Sequence, residues 1–156
     1  MDKKQAKVIE RMMKKVKMYQ GYANYEGKFA YTDTKRVFLC DEILEDYNKE
    51  VSINFDNILK YNNQESKMKL DAKEIKEFIK TREIKRTSKK IIPFIYKNEI
   101  AFNPFYLLDI IEFCDAKELY YNSEKIAVAL FKDKNDVIAG GLMPINFALN
   151  KEEKQN

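Results

Sequence analysis

No group of residues in this chain has a pattern typical of catalysis: its 25 Asp and Glu are plentiful, but no pair is singled out as acid and base. The chain has 156 residues, no histidine, and only two cysteines, Cys40 and Cys114. Histidine is the commonest general base and metal ligand, so its absence removes the usual means of acid–base catalysis and zinc binding. The Gly140-Gly141 pair lacks the lysine and hydroxyl residue that follow a phosphate-binding loop. We therefore expect a protein that is not an enzyme and that holds no metal or cofactor.

The basic residues of the chain form clusters that could bind an anionic partner. The chain has 29 Lys and Arg against 25 Asp and Glu, a formal net charge of +4, and its basic residues crowd residues 3–17 and 80–90. Such clusters attract phosphates without sequence preference, although a solvated face of a lysine-rich helix gives the same pattern. The candidate DNA-contact residues are Lys4, Lys7, Arg11, Lys14, Lys15, Lys85 and Arg86.

Aromatic residues beside these lysines leave a second function open. Tyr22, Tyr25, Phe29 and Tyr31 fall in one aromatic-rich stretch, and exposed aromatic rings can stack on the bases of single strands. The alternative is therefore a small basic nucleic-acid-binding protein.

No apolar run is long enough to span a membrane, and the N-terminus lacks an apolar signal core. We expect a cytoplasmic protein with no membrane association.

Three helices are predicted to position these residues. Apolar residues recur at helical spacing over residues 4–19, with Gly21 expected to close the helix. Asp71 is suited to cap a helix over residues 71–82, since Glu74 follows three positions later. Asn103-Pro104 begins the third helix, with asparagine as the cap and proline in the first turn.

Strands are predicted between and after the helices. Glu26-Gly27 separates two aromatic-rich runs and indicates a hairpin, and a strand follows at residues 37–40. Residues 91–96 and 99–102 form a second pair around Lys97-Asn98, and residues 117–122, 125–132 and 136–145 form three antiparallel strands. This order predicts an α+β fold, an antiparallel sheet packed on two or three helices.

The last part of the chain resembles a known family. Phe102-Asn103, then Tyr106-Leu107-Leu108-Asp109, and later Met143-Pro144-Ile145 stand in the order found in the last domain of the bacterial DNA polymerase III sliding clamp. The stretch YTDTKRVF around Asp33 resembles the middle domain of that clamp, and NFDNILK at residues 54–60 resembles the linker between its domains. Two departures are that the prolines of the linker are absent and that Asn146-Phe147 replace the terminal Arg-Leu.

The resemblance implies a shortened, DNA-clamp-like arrangement. Residues 1–150 are expected to form one compact domain, in which residues 1–63 resemble part of the middle clamp domain and residues 64–150 the last one. Residues 151–156 are a polar tail. In the family, a cleft between these two domains accepts linear motifs carried by polymerases, clamp loaders and repair proteins. The corresponding peptide-binding residues here are Thr32, Lys35, Arg36, Val37, Phe55, Ile58, Asn103, Tyr106, Met143, Pro144 and Ile145.

Two mechanisms follow from this resemblance, and both involve proteins that carry clamp-binding motifs. The chain either assembles into a homo-oligomer around double-stranded DNA, or acts as an adaptor or decoy that competes for such proteins without encircling DNA. The basic first helix favours the former. The short length favours the latter, because ring closure requires two compatible interfaces on each subunit.

Overall fold

The structure is a computed structural model that describes residues 1–55, 58–59 and 64–146. Its described elements comprise three α-helices, a 3-10 turn at Glu45–Tyr47 and nine strands. The helices are α1 (Lys3–Met13), α2 (Ala72–Thr81) and α3 (Pro104–Cys114). The strands are β1 (Ala23–Tyr25), β2 (Lys28–Thr32), β3 (Arg36–Cys40), β4 (Ser66–Lys69), β5 (Phe94–Tyr96), β6 (Ile100–Phe102), β7 (Glu118–Tyr121), β8 (Ala129–Lys132) and β9 (Ile138–Leu142).

Seven of the described strands form one sheet in the order β1-β2-β3-β9-β8-β7-β4, and β5 pairs with β6 separately. Every pairing between these strands is antiparallel. The α+β prediction, with an antiparallel sheet packed on helices, is therefore confirmed. The β3–β9 pair joins Val37 to Gly141, so the sheet runs without interruption from the first part of the chain to the last.

One face of the large sheet packs on the helices. Side chains alternate across a strand, and Phe38 and Cys40 of β3 join the helix-side core. There they meet α1 through Met12 and Met13 and α3 through Phe113, whose ring centroid lies 4.7 Å from that of Phe38. This core holds the N-terminal helix and the C-terminal strands in one packed unit.

The opposite face of the sheet packs on a loop. Val37 and Leu39, the alternate residues of β3, contact a smaller core that includes Phe55 and Leu59. Phe55 and Leu59 lie on either side of residues 56–57, which are outside the described residues. The sheet thus separates a helix side from a loop side, and each residue of β3 belongs to one side or the other.

The predicted helices are present, but the first is shorter than expected. Asp2 caps α1 by accepting a hydrogen bond from Lys4 N, and the helix ends at Met13 rather than Tyr19. Gly21 therefore does not cap it. Glycine is needed there because a Cβ atom at position 21 would lie 2.0 Å from the carbonyl oxygen of Lys49. The other two helix starts are confirmed: Asp71 accepts from Glu74 N, and Asn103 accepts from Phe105 N.

Strand positions agree with the sequence better than strand lengths do. The hairpins at Glu26-Gly27 and Lys97-Asn98 are confirmed, and all four of these residues have positive φ, as tight hairpin turns require. Residues 91–93, 125–128 and 143–145 lie outside the strands predicted to include them. Strand β4 was not predicted, since Met68 is its one fully buried residue and a four-residue alternation is a weak signal.

The two cysteines are shielded from solvent, which predicts low reactivity. Burial raises the pKa of both the Cys40 and the Cys114 thiol to about 12. Unfolded thiols ionise near pH 8.5, so at about pH 10 only the unfolded chain exposes thiolate, the reactive form. We expect iodoacetamide to modify both cysteines slowly in the folded protein at about pH 10 and rapidly in urea, as measured by intact mass. Equal rates with and without urea would contradict this burial.

Candidate functional site

The turn between β2 and β3 is held by its own polar side chains. Thr32 Oγ1 donates to the carbonyl oxygen of Arg36 at 2.7 Å and accepts from Thr34 N at 3.0 Å. Asp33 Oδ1 accepts from Lys35 N at 2.9 Å and from Arg36 N at 3.0 Å. Thr34 adopts φ 75°, which is uncommon for a residue other than glycine. These bonds fix where Lys35 and Arg36 project.

An apolar cleft of about 300 Å³ opens on the loop side of the sheet beside this turn. Among the described residues, five parts of the chain converge on it: the segment after α1, the turn, the segment that carries Ile53, Phe55 and Ile58, the residue before β8, and the end of β9. Its lining residues, which define the apolar cleft, are Tyr19, Thr32, Thr34, Lys35, Arg36, Val37, Ile53, Phe55, Ile58, Val128, Gly141 and Met143.

Three large apolar side chains in this cleft remain open to solvent. Tyr19 is 39% exposed, Ile58 37% and Met143 40%. Isolated exposed apolar residues are common, but a group around one concavity is typical of a binding site. Methionine suits such a place because its flexible, polarizable side chain adapts to differently shaped partners.

The segment that carries Met143 passes from one sheet to the other. Met143 N donates to the carbonyl oxygen of Lys35 at 2.8 Å, and Ile145 N donates to that of Ala101 in β6, also at 2.8 Å. Pro144 lies between them and has no N–H to satisfy. The proline therefore occupies the one position in this crossing that needs no donor, and it fixes the backbone between the two anchors.

A buried carboxylate on α3 gathers three arginines. Asp109 is 1% exposed and accepts from Arg11 of α1, from Arg36 of β3 at 2.6 Å and from Arg86 at 2.9 and 3.0 Å. The Arg36 guanidinium carbon also lies 3.9 Å from the ring centroid of Tyr106, a stacked cation–π contact. Arg11 also pairs with Glu112 at 3.2 Å and Arg36 with Asp33 at 3.3 Å, so three arginines and three carboxylates form one ion-pair network.

A basic cleft of about 550 Å³ adjoins these arginines on the helix side of the turn. Asp33 is the one acidic residue among its described lining residues, and Asn103, Phe105 and Tyr106 form part of its wall. Thr34, Lys35 and Arg36 line this cleft and the apolar cleft alike. The cationic residues that define the basic cleft are Arg11, Lys15, Lys17, Lys35, Arg36, Arg86 and Lys89.

The structure brings most of the predicted peptide-binding residues to these two clefts. Thr32, Lys35, Arg36, Val37, Phe55, Ile58 and Met143 line the apolar cleft, and Asn103 and Tyr106 line the basic cleft. Pro144 and Ile145 do not join them. They line a separate cavity of about 130 Å³ with Glu99 and Ile126, because the chain has by then crossed to the β5–β6 sheet.

The predicted DNA-contact residues are divided between different environments. Lys4, Lys7, Lys14, Lys15 and Lys85 are exposed. In contrast, Arg11 and Arg86 direct their guanidinium groups to the buried Asp109. An arginine already paired with a buried carboxylate has fewer donors left for a phosphate.

Sequence reasoning missed several residues of the site. Asp109 stood in the Tyr-Leu-Leu-Asp motif, but its role as the partner of three arginines depends on contacts with residues 23 to 98 positions away. Ile53, Val128 and Gly141 were also missed, although the alternation of β3 places Val37 on the loop side and the β3–β9 pairing brings Gly141 next to it. Tyr19 had been assigned to the first helix.

Of the four aromatic residues proposed to stack on bases, Tyr25 and Tyr31 are buried, whereas Tyr22 and Phe29 are half-buried. Tyr31 is fully buried and its hydroxyl bonds Leu44 N and the carbonyl oxygen of Tyr47, and Tyr25 is 9% exposed. Tyr22 and Phe29 pack edge to face on each other at 5.3 Å between centroids.

Within residues 1–55, 58–59 and 64–146, no group of three or more acidic or cysteine side chains is arranged to hold a metal ion, and no helix is long and apolar enough to cross a membrane.

Comparison with known proteins assigns no family to this chain. The chain matches no protein-family model, no curated protein and no solved structure.

Proposed function

We propose that this protein is a non-enzymatic, cytoplasmic, clamp-like DNA-replication factor that docks short linear peptides in the apolar cleft. The observation that carries the proposal is the convergence of the β2–β3 turn, of Ile53, Phe55 and Ile58, and of the end of β9 on one solvent-open apolar concavity. Segments so far apart in sequence have no local reason to leave Ile58 and Met143 exposed in the same cleft. The resemblance of these same residues to the peptide cleft of sliding clamps supports the same function.

The cleft has the properties that a peptide anchor requires. Its volume of about 300 Å³ accommodates a few apolar side chains, and the exposed Lys35 on its rim is a polar contact for the peptide backbone. A few well-buried anchors in a small apolar pocket give affinities of about 1 μM, or about −8 kcal/mol. Proteins with clamp-binding motifs, such as polymerases, clamp loaders and repair proteins, are the proposed partners.

Two mechanisms remain within this function. In the first, the chain forms a homo-oligomer that surrounds double-stranded DNA. In the second, it is an adaptor or decoy that binds clamp partners without encircling DNA, and the pairing of Arg11 and Arg86 with Asp109 favours this one, since it removes two of the candidate phosphate contacts. Light scattering with and without circular duplex DNA distinguishes them, because only the first predicts an assembly that is retained on a closed circle.

Peptide docking is tested by fluorescence polarisation. A labelled peptide of the Gln-Leu-x-Leu-Phe type is expected to bind the protein, and Met143→Ala is expected to weaken binding at least about tenfold, because it removes an anchor contact in the cleft. Met143 is 40% exposed, so its truncation should change stability little. Met143→Leu, which keeps an apolar side chain of similar size, should retain most of the affinity.

Ile95→Ala is the matched control. Ile95 is also an exposed apolar residue, 45% accessible, but it lies on β5 and does not line the apolar cleft. It should leave peptide binding unchanged. The proposal is wrong if the folded protein ignores several such peptides at high micromolar concentration, or if Ile95→Ala weakens binding as much as Met143→Ala.

A further inference from the structure

The apolar and basic clefts meet at the turn between β2 and β3, where they share Thr34, Lys35 and Arg36. Consecutive residues of a strand point to opposite faces; accordingly, Val37 lines the apolar cleft on the loop side, whereas Arg36 reaches Asp109 on the helix side. Thr34 and Lys35, in the exposed turn between them, line both. A chain bound in one cleft therefore passes directly over this turn into the other.

Several cations of the basic cleft are not paired with any acidic residue in the part of the chain that the structure describes. Among the described residues, Lys15, Lys17, Lys35 and Lys89 make no salt bridge and no side-chain hydrogen bond, and all four are exposed. Like charges that share a concavity repel one another, and an anionic ligand relieves this repulsion. Their common position thus indicates a negatively charged occupant.

The wall behind these lysines is ordered by ion pairs. Arg36 is 5% exposed and is held by Asp33, by Asp109 and by the ring of Tyr106. Arg86 is fixed by two bonds to the same Asp109. Because these arginines are already paired with carboxylates, they give the cleft a preordered wall, and the exposed lysines supply the attraction for an anionic ligand.

We propose that the peptide docked in the apolar cleft carries acidic residues beside its apolar anchor, and that these acidic side chains occupy the basic cleft. This inference rests on the proposed function. It adds a second recognition element, in which the apolar anchor supplies most of the affinity and the charges supply selectivity and faster association.

The geometry favours an acidic peptide over duplex DNA in this cleft. The basic cleft is concave, and it shares Thr34, Lys35 and Arg36 with an apolar concavity that has nothing to offer a phosphate backbone. A duplex carries its phosphates on the outside of a stiff rod and is contacted best by cations on an open surface. A flexible peptide can enter both clefts at once.

The test compares labelled peptides with the same apolar anchor and different flanks. One has three aspartates before the anchor, one has them after it, and two have serines in the same places. We expect one of the aspartate peptides to bind about tenfold more tightly than its serine counterpart at low salt, since exposed charge pairs contribute up to about 1 kcal/mol each. The ratio of the two affinities should fall towards one at about 0.5 M salt, where the Debye screening length is about 4 Å.

Reversing the charge of lysines in the basic cleft tests whether this cleft causes the preference for aspartate peptides. Lys15→Glu with Lys89→Glu should abolish the ratio between aspartate and serine peptides. Lys73→Glu with Lys134→Glu changes the net charge equally at exposed residues that line neither cleft, and it should keep that ratio. Circular dichroism confirms that both variants fold.

The outcomes separate this inference from the function on which it rests. If no peptide binds, the proposed function fails. If aspartate and serine peptides bind equally, docking stands and the acidic-flank inference is wrong. It is also wrong if the preference survives reversal of Lys15 and Lys89, or if that variant instead loses duplex-DNA binding, which would assign the basic cleft to nucleic acid.

Discussion

Asp109→Asn is expected to lower the free energy of unfolding by about 3–5 kcal/mol, because it removes one partner of a buried ion pair and leaves the other charged. Asp109 is 1% exposed and Arg36 is 5% exposed, so neither side chain can turn to water for compensation. The same substitution also loosens the contacts of Arg11 and Arg86, which join α1 and the segment after α2 to α3. Urea unfolding followed by circular dichroism measures the loss.

Glu112→Gln is the control for this prediction. Glu112 pairs with Arg11 at 3.2 Å and lies one turn along α3 from Asp109, but its side chain is 32% exposed. Exposed pairs are worth about 1 kcal/mol or less, so this variant should remain close to the parent protein. Similar unfolding midpoints for the two variants would show that Asp109 is not the electrostatic centre of the fold.

Gly140→Ala is expected to cost at least about 3 kcal/mol, at the upper end of overpacking effects. A Cβ atom at this position would lie 2.1 Å from the carbonyl oxygen of Val37 and 2.4 Å from Cζ of Phe131. The first contact is with the backbone of the neighbouring strand and cannot be relieved by a side-chain rotation. Either β3 and β9 separate or the register changes, and both outcomes would deform the wall of the apolar cleft.

Gly27→Asn provides the comparison, because it also replaces a glycine but in open space. Gly27 has φ +79° in the β1–β2 turn, and a Cβ atom there meets nothing within 4 Å. Asparagine tolerates that backbone conformation, so a loss of about 1 kcal/mol or less is expected. Thermal unfolding of the two variants tests the difference. A Gly140→Ala protein as stable as Gly27→Asn would mean that β3 and β9 are not as closely packed as described.

Local sequence rules were reliable wherever the interacting groups are a few residues apart. A helix cap bonds an N–H two or three positions away, and a tight hairpin turn needs only residues that accept positive φ. For this reason Asp71, Asn103 and both hairpins were predicted correctly. The antiparallel sheet and the helices packed on it followed from the order of these elements.

The extent of each element depended on its surroundings. The helical spacing of apolar residues continues past Met13, but α1 ends there and Tyr19 lies in the apolar cleft instead. Strand β9 ends at Leu142 because the next backbone donors bond Lys35, in the turn before β3, and Ala101, in β6 of the other sheet. No periodic pattern in the sequence predicts which sheet supplies the acceptor for a given backbone N–H.

The α+β class, the helix starts and the hairpins could thus be predicted from the sequence, since these depend on the order of elements and on contacts between close neighbours. The three arginines on Asp109, the departure of Ile145 from the cleft that Met143 lines, and the meeting of the apolar and basic clefts at one turn are visible only in the folded chain. Those features join residues that are far apart along the chain, and such contacts are specified by the packing of the whole domain rather than by any one segment.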